Sequence, residues 1–190
     1  IARSVDQGKS FEKNIKISGD ICPCCRTALA FGDKGEIFAS WRHVYDDNER
    51  IIVVATSLDK GKTWSKPVKV SETGWKINGC AHSGPVMKYV GGKLLISWYT
   101  GVNDKASLKF AHSVDNGKSF QVDKNINGPV LDSNHPDIVV IGKEAWVIFQ
   151  GRDPNLEGGW GRDKAWLVKV SSDVNISSPS PLPSTGKGVA

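Results

Sequence analysis

No apolar run in this 190-residue sequence approaches the roughly 18–20 residues that a helical membrane span needs, so no such span is expected. A basic start followed by an apolar stretch is also missing, and no signal peptide is read from it. No segment combines helical period with helical length. The lysines, among them Lys9, Lys34, Lys60, Lys62, Lys105, Lys118 and Lys187, are scattered through turns and form no basic block interleaved with aromatics. Nucleic acid is therefore not an expected partner, although the net charge of +5 leaves a mild attraction to acidic surfaces, glycans or phosphates. Hydrophobic residues at 39% and charged residues at 24% are the balance of an ordinary globular chain.

What the chain does hold is a repeat. Ser4-Val-Asp6-Gln-Gly8-Lys-Ser-Phe11, Ser57-Leu-Asp59-Lys-Gly61-Lys-Thr-Trp64 and Ser113-Val-Asp115-Asn-Gly117-Lys-Ser-Phe120 share one pattern. A worn copy stands at Ser171-Ser-Asp173-Val-Asn175, and successive starts are 53, 56 and 58 residues apart. Each element has a physical role. The Asp accepts hydrogen bonds from backbone N–H groups ahead of it. The Gly two residues on supplies a positive φ, which Asn tolerates next best. The closing aromatic is expected to pack the hairpin against its own sheet.

Between the copies lie short β-branched and aromatic runs. Glu36–Trp41, Lys93–Trp98 and Glu144–Phe149 occupy equivalent places, and Arg50–Thr56, Ser107–His112 and Lys164–Val170 each precede a copy. About four strands per period is the content of one propeller blade. The fold class is thus all-β, a β-propeller with four-stranded blades. Full blades are expected at about 25–70, 82–130 and 135–182, part of a blade at 1–20 and the start of another at 186–190.

The repeated units resemble the Asp-box, or BNR, repeat of bacterial sialidase (neuraminidase)-like propellers, and the resemblance covers essentially the whole chain. It implies that Asp6, Asp59, Asp115 and Asp173 are structural residues on the outer rim, away from the active face. Propellers close with about four to eight blades, and an open arc leaves strand edges and apolar faces uncovered. The remaining blades of a longer chain, or an associating protein, are therefore expected partners.

Superposing the repeats on the hairpin glycines Gly32, Gly91 and Gly142 brings Cys25, Gly84 and His135 to equivalent places before the first strands. Cys22, Cys24, Arg26, Cys80 and His82 flank them, and the second strands end at Trp41-Arg42-His43-Val-Tyr45, Trp98-Tyr99 and Gln150-Gly-Arg152-Asp153. All are expected at the channel mouth, where propellers commonly carry their function. Candidate ligand contacts there are Arg42, His43, His135 and the loop residue Trp160. Trp41, Trp98, Trp146 and Trp166 recur at strand positions and are read as blade core.

Cys22-Pro-Cys24-Cys25 and Asn78-Gly-Cys80-Ala-His82 hold all four cysteines. Three readings stand open: one or two disulfides, a copper, zinc or iron site of thiolates with His82, or free redox thiols. The spacing is neither that of a zinc ribbon nor the C-x-x-C-H of covalent haem. The phrases D-I-C-P-C-C-R-T and N-G-C-x-H-S-G-P resemble a subgroup of sialidase-like propellers, which implies that Cys22, Cys24, Cys25, Cys80 and His82 act together.

Sialidase chemistry needs an arginine cluster, a Tyr nucleophile and an Asp acid–base. Arg26, Arg42 and Arg152 are candidates for the clamp, Tyr45 or Tyr99 for the nucleophile, and Asp46 or Asp47 for the acid. The R-I-P hallmark is missing, however, since Arg26 is followed by Thr27-Ala28. A binding or assembly propeller with a glycan or protein ligand is therefore the leading expectation. A sialidase-type hydrolase and a metal- or thiol-dependent redox propeller are the alternatives. An extracellular or periplasmic location is expected.

Overall fold

The computed structural model describes residues 1–156 and 163–182, apart from the side chains of Asp123 and Lys124. Trp160 and the segment 186–190 lie outside the described residues. Among the described residues three antiparallel four-stranded sheets are formed, each with its strands in chain order. The first holds β1 (Ala28–Phe31), β2 (Ile37–Val44), β3 (Arg50–Ser57) and β4 (Val68–Lys69). The second holds β5 (Val86–Val90), β6 (Lys93–Thr100), β7 (Ser107–Ser113) and β8 (Gln121–Asn125). The third holds β9 (Leu131–Ile141), β10 (Glu144–Arg152), β11 (Asp163–Val170) and β12 (Ser180–Pro181).

The side-chain period of two explains why these sheets stack as propeller blades. Ile52 and Val54 of β3 pack with Phe38 of β2 toward Leu94, Ile96 and Trp98 of the second sheet. Their neighbours Ile51, Val53 and Ala55 pack with Ala39 and Trp41 on the opposite face. Both faces are buried, so these strands read as unbroken apolar runs. Leu95, Leu108 and Phe110 of the second sheet meet Ile138, Val147 and Phe149 of the third in the same way. β1 packs on β5 and β5 on β9, which sets the first strands of the three blades side by side.

The repeated turns are held by their own side chains. Asp59 Oδ1 accepts from the N–H groups of Lys62 (3.0 Å) and Thr63 (2.9 Å), and Oδ2 accepts from Thr63 Oγ1 at 2.6 Å. Ser57 Oγ accepts from Gly61 N–H and donates to Asp59. Asp115 has the same set from Lys118 and Ser119, and Asp6 is held by Ser4 and Ser10. The glycines take the expected positive φ, and so do Gln7, Lys60 and Asn116 before them. The second sheet's turn also locks onto the first, where Thr56 Oγ1 donates to Asn116 O at 3.1 Å.

Two expectations need correction. In the fourth copy the positive φ falls on Val174, at 64°, and not on Asn175; Ser171 Oγ accepts from Asn175 N–H, and the backbone closes the turn through Ser171 N–H to Asn175 O and Val174 N–H to Ser171 O. Phe11 is 64% exposed, whereas Trp64 and Phe120 pack on their sheets. On either side of the first turn residues 1–3 and 12–15 pair with each other, Ile15 N–H donating to Ile1 O and Glu12 N–H to Arg3 O, without being assigned as strands.

The turn carboxylates make acid stability testable. Hydrogen bonds from Ser10 hold Asp6 down to about 2, and those from Thr63 hold Asp59 well below the usual range. At Asp115 slight burial opposes, yet the bonds from Ser119 still bring it to about 2. A depressed carboxylate contributes stability that is present above its unfolded value near 3.9 and lost as pH falls through the folded value. Urea midpoints of the wild type should fall between pH 4 and pH 2. The Asp6→Asn/Asp59→Asn/Asp115→Asn variant should start lower and vary less across that window.

Candidate functional site

Antiparallel pairing continues beyond β1 and brings Asp20–Cys25 against the end of β2. Val44 N–H donates to Asp20 O at 2.7 Å, Cys22 N–H donates to Arg42 O at 2.9 Å, and Ile21 bridges His43. The long connection from β4 to β5 crosses the same end. Arg50 N–H donates to Trp75 O, and Gly84 lies so close to Arg26 that a Cβ would overlap its carbonyl. Glycine is required there by close approach rather than by its φ.

Cys22-Pro23-Cys24-Cys25 is a tight turn closed by Cys25 N–H to Cys22 O at 3.3 Å. Proline at its second position presets the backbone. The first and fourth residues of such a turn lie near one another, and Cys22 Sγ is 2.6 Å from Cys25 Sγ. Cys24, at the third position, is joined to Cys80 in a disulfide across 56 residues. Cys22 and Cys25 are buried free thiols, Cys24 is half-buried, and Cys80 is exposed. The Sγ atoms of Cys22, Cys24 and Cys80 lie within 4.8 Å of one another. His82 is not part of this group; it is exposed, with φ 51°. With Cys24 and Cys80 bonded to each other, the group offers a metal one free thiol.

Arg42 is 1% exposed, and its Nε and Nη2 donors are committed. Nε and Nη2 donate to Ser83 O at 3.3 and 3.0 Å, and Nη2 also donates to Tyr99 O at 2.7 Å. Its guanidinium lies 4.7 Å from the ring of Trp75, which meets Tyr99 edge-on at 5.6 Å. Burial lowers the Arg42 value, and the neighbouring Cys25 opposes that shift. Burial likewise pushes the Cys25 thiol up, with Cys22 adding to the rise and Arg42 opposing it. Arg42 therefore ties the first blade to the second, and its guanidinium is not open to a substrate carboxylate.

Beside it opens a polar pocket of about 640 Å³, lined among others by Asp20, His43, Tyr45, Asp46 and Arg50. The rings of His43 and Tyr45 lie 4.4 Å apart, and Lys69 Nζ stands 4.4 Å from the Tyr45 ring. Burial lowers the His43 value, against the pull of Asp20, and burial with Glu49 raises that of Tyr45. Arg50 donates through Nη2 to Ile77 O and Gly79 O, and its buried Nε has no partner. Asp47 faces away into an exposed ion pair with Lys76 at 3.2 Å.

The other expected residues divide between blades. Arg26 is exposed, and Tyr99 is half-buried beside Trp75. Arg152 pairs with Asp132 at 2.9 Å and His135 stands exposed on β9, both within the third sheet. Trp41, Trp98 and Trp166 are buried as core, while Trp146 is half-buried under Lys169. Asp20, Arg50 and Trp75 were not selected from the sequence as site residues. The one available signal was a charged residue opening the otherwise apolar run 50–55.

The sequence matches no protein-family profile, and no curated protein sequence matches it either. Solved structures do resemble it. The α-L-arabinofuranosidase Arb93A of Fusarium graminearum superposes with a TM-score of 0.60 at 15% identity, over 82% of this chain and 47% of that one. A Hadza microbial sialidase, Hz136, gives 0.60 at 16% identity, over 93% and 39%. An endo-1,4-β-xylanase of Bacteroides thetaiotaomicron gives 0.55 at 15%, over 90% and 62%. The chain thus spans less than two thirds of each of these proteins, and at such identities the likeness shows the fold alone.

Replacing Arg42 by Met leaves the carbonyls of Ser83 and Tyr99 buried without donors. An unfolding experiment in urea should show a loss of roughly 2–3 kcal/mol. A midpoint unchanged within error rules out Arg42 as the tie between the blades.

Proposed function

We propose that this chain supplies a saccharide-binding face to a β-propeller, with the pocket at the end of β2 as its contact site. The observation that supports this is the lining of that pocket, which brings Asp20, His43, Asp46 and Arg50 together with Tyr45. Sugars offer hydroxyl groups that donate and accept over apolar C–H faces. Carboxylates can accept from them, and an aromatic ring can take the C–H face. Convergent polar groups in one concave site are the usual form of a ligand pocket. The three similar structures are named as enzymes acting on saccharides, which raises the expectation by analogy of fold.

The disulfide Cys24–Cys80 favours an oxidising compartment, extracellular or periplasmic. No helix of the described residues is long and apolar enough to cross a membrane. Leu29, Phe31, Val139 and Ile141 are exposed on the first strands. Their burial fits further blades of a longer chain, or an associating protein.

Two carboxylates in one pocket also favour a second reading, hydrolysis of a glycosidic bond with Asp20 and Asp46 as the acid–base pair. A carboxylate clamp of Arg26, Arg42 and Arg152 is not part of it, because Arg42 is buried and Arg152 is paired.

Titration with a panel of soluble oligosaccharides, followed by tryptophan fluorescence, tests both. Saturable binding is expected, weakened at least about ten-fold by Tyr45→Ala or Asp20→Asn, equivalent to about 1.4 kcal/mol. Turnover of an aryl glycoside that disappears in Asp46→Asn moves the assignment to hydrolysis. No saturable binding by any saccharide overturns the proposal.

A further inference from the structure

The four sulfur atoms at the end of the first blade are sorted by burial. Cys22 is 1% and Cys25 8% exposed, so neither thiol meets a bulky reagent from solvent. Cys80 is exposed and Cys24 half-buried, so their disulfide does. Cys22 Sγ touches both partners, standing 2.6 Å from Cys25 Sγ and 3.7 Å from Cys24 Sγ. We propose that these cysteines form a two-tier thiol–disulfide relay. The surface disulfide Cys24–Cys80 oxidises the buried dithiol Cys22/Cys25 and is itself regenerated by a small-molecule disulfide of the glutathione type.

The transfer balances within the protein. Cys22, as thiolate, attacks Cys24 Sγ; the Cys22–Cys24 bond forms, the Cys24–Cys80 bond breaks, and Cys80 leaves with the electron pair and takes the proton Cys22 released. Cys25 then attacks Cys22 Sγ; the Cys22–Cys25 bond forms, the Cys22–Cys24 bond breaks, and Cys24 takes the proton from Cys25. The inner pair has lost two electrons and the outer pair has gained them. The glutathione-type disulfide next reoxidises Cys24 and Cys80 and departs as two thiols.

Three features favour this sequence. The turn closed by Cys25 N–H to Cys22 O holds the inner pair as a C-x-x-C unit, the spacing that dithiol chemistry uses. The Arg42 guanidinium lies beside that pair, so the exchange takes place next to a fixed positive charge. The loop that carries Cys80 contains Gly79 and lies at the surface, so Cys80 has a leaving path into solvent. The relay does not depend on saccharide binding.

The test reduces the whole chain, adds oxidised glutathione and traps thiols at intervals with an alkylating reagent, reading each cysteine by peptide mass. Cys24–Cys80 should form first and Cys22–Cys25 after it. In Cys24→Ser/Cys80→Ser, formation of Cys22–Cys25 should slow at least ten-fold. In Cys22→Ser/Cys25→Ser, Cys24–Cys80 should form at the wild-type rate. Cys25→Ser, which keeps the turn and the outer pair, should accumulate a Cys22–Cys24 disulfide and so serves even where a double variant fails to fold. The proposal is overturned if Cys22–Cys25 never appears, or if it forms as fast without the outer pair. Recovery of a stoichiometric metal on four protected thiols overturns it as well.

Discussion

One side chain holds the two halves of the site in register. Arg42 leaves the end of β2, crosses to the second blade and donates to the carbonyls of Ser83 and Tyr99. Burying a guanidinium is costly unless its donors are satisfied, and a planar fork with fixed geometry satisfies them only when both blades are in place. The arrangement is therefore cooperative. Trp75 covers the guanidinium, Gly101 leaves room for the indole, and Gly84 lets the Ser83 segment approach Arg26. Each of these residues makes sense only in the presence of the others.

The same constraint divides the chemistry of the face. Because Arg42 points inward, the ring of polar groups around the pocket is left to Asp20, His43, Tyr45, Asp46 and Arg50. Because Cys24 is tied to Cys80, the inner thiols are left beside the buried cation. A 56-residue separation makes that bond an effective staple, about 4 kcal/mol in the chain-entropy description. It joins the entry to the first blade to the connection that leads into the second, near the Ser83 carbonyl that Arg42 uses. The covalent and the charged tie act across one boundary.

Much of the architecture was legible because it depends on local rules. Short β-branched and aromatic runs and turn chemistry located β2, β3, β6, β7, β10 and β11, and the glycines Gly32, Gly91 and Gly142 placed the hairpins. What was not legible depends on distance between segments. An arginine at a strand end reads as surface, and nothing in Trp41-Arg42-His43 announces that Ser83 and Tyr99 will face it. Trp75 sits in a loop by composition yet is 7% exposed, since its burial comes from the neighbouring blade. The pairing of four cysteines has several solutions in sequence and one in space. Val174 shows a different limit. A β-branched residue takes the left-handed conformation because the turn is held at Ser171 whether or not a glycine is present.

The position of the inner thiols follows from this geometry. A buried cation whose Nε and Nη2 are committed to carbonyls still carries its charge, and in a medium of low dielectric that charge acts strongly on whatever lies nearest. For Arg42 the nearest ionisable groups include Cys25 and Cys22. Ionising one thiol there offsets part of the burial of the guanidinium, while burial of the sulfur works against it. The residue that locks two blades together thus also sets the electrostatics of the sulfur pair. A change that loosens the blades should alter thiol reactivity in step with stability, whereas a change confined to the open pocket should leave both untouched.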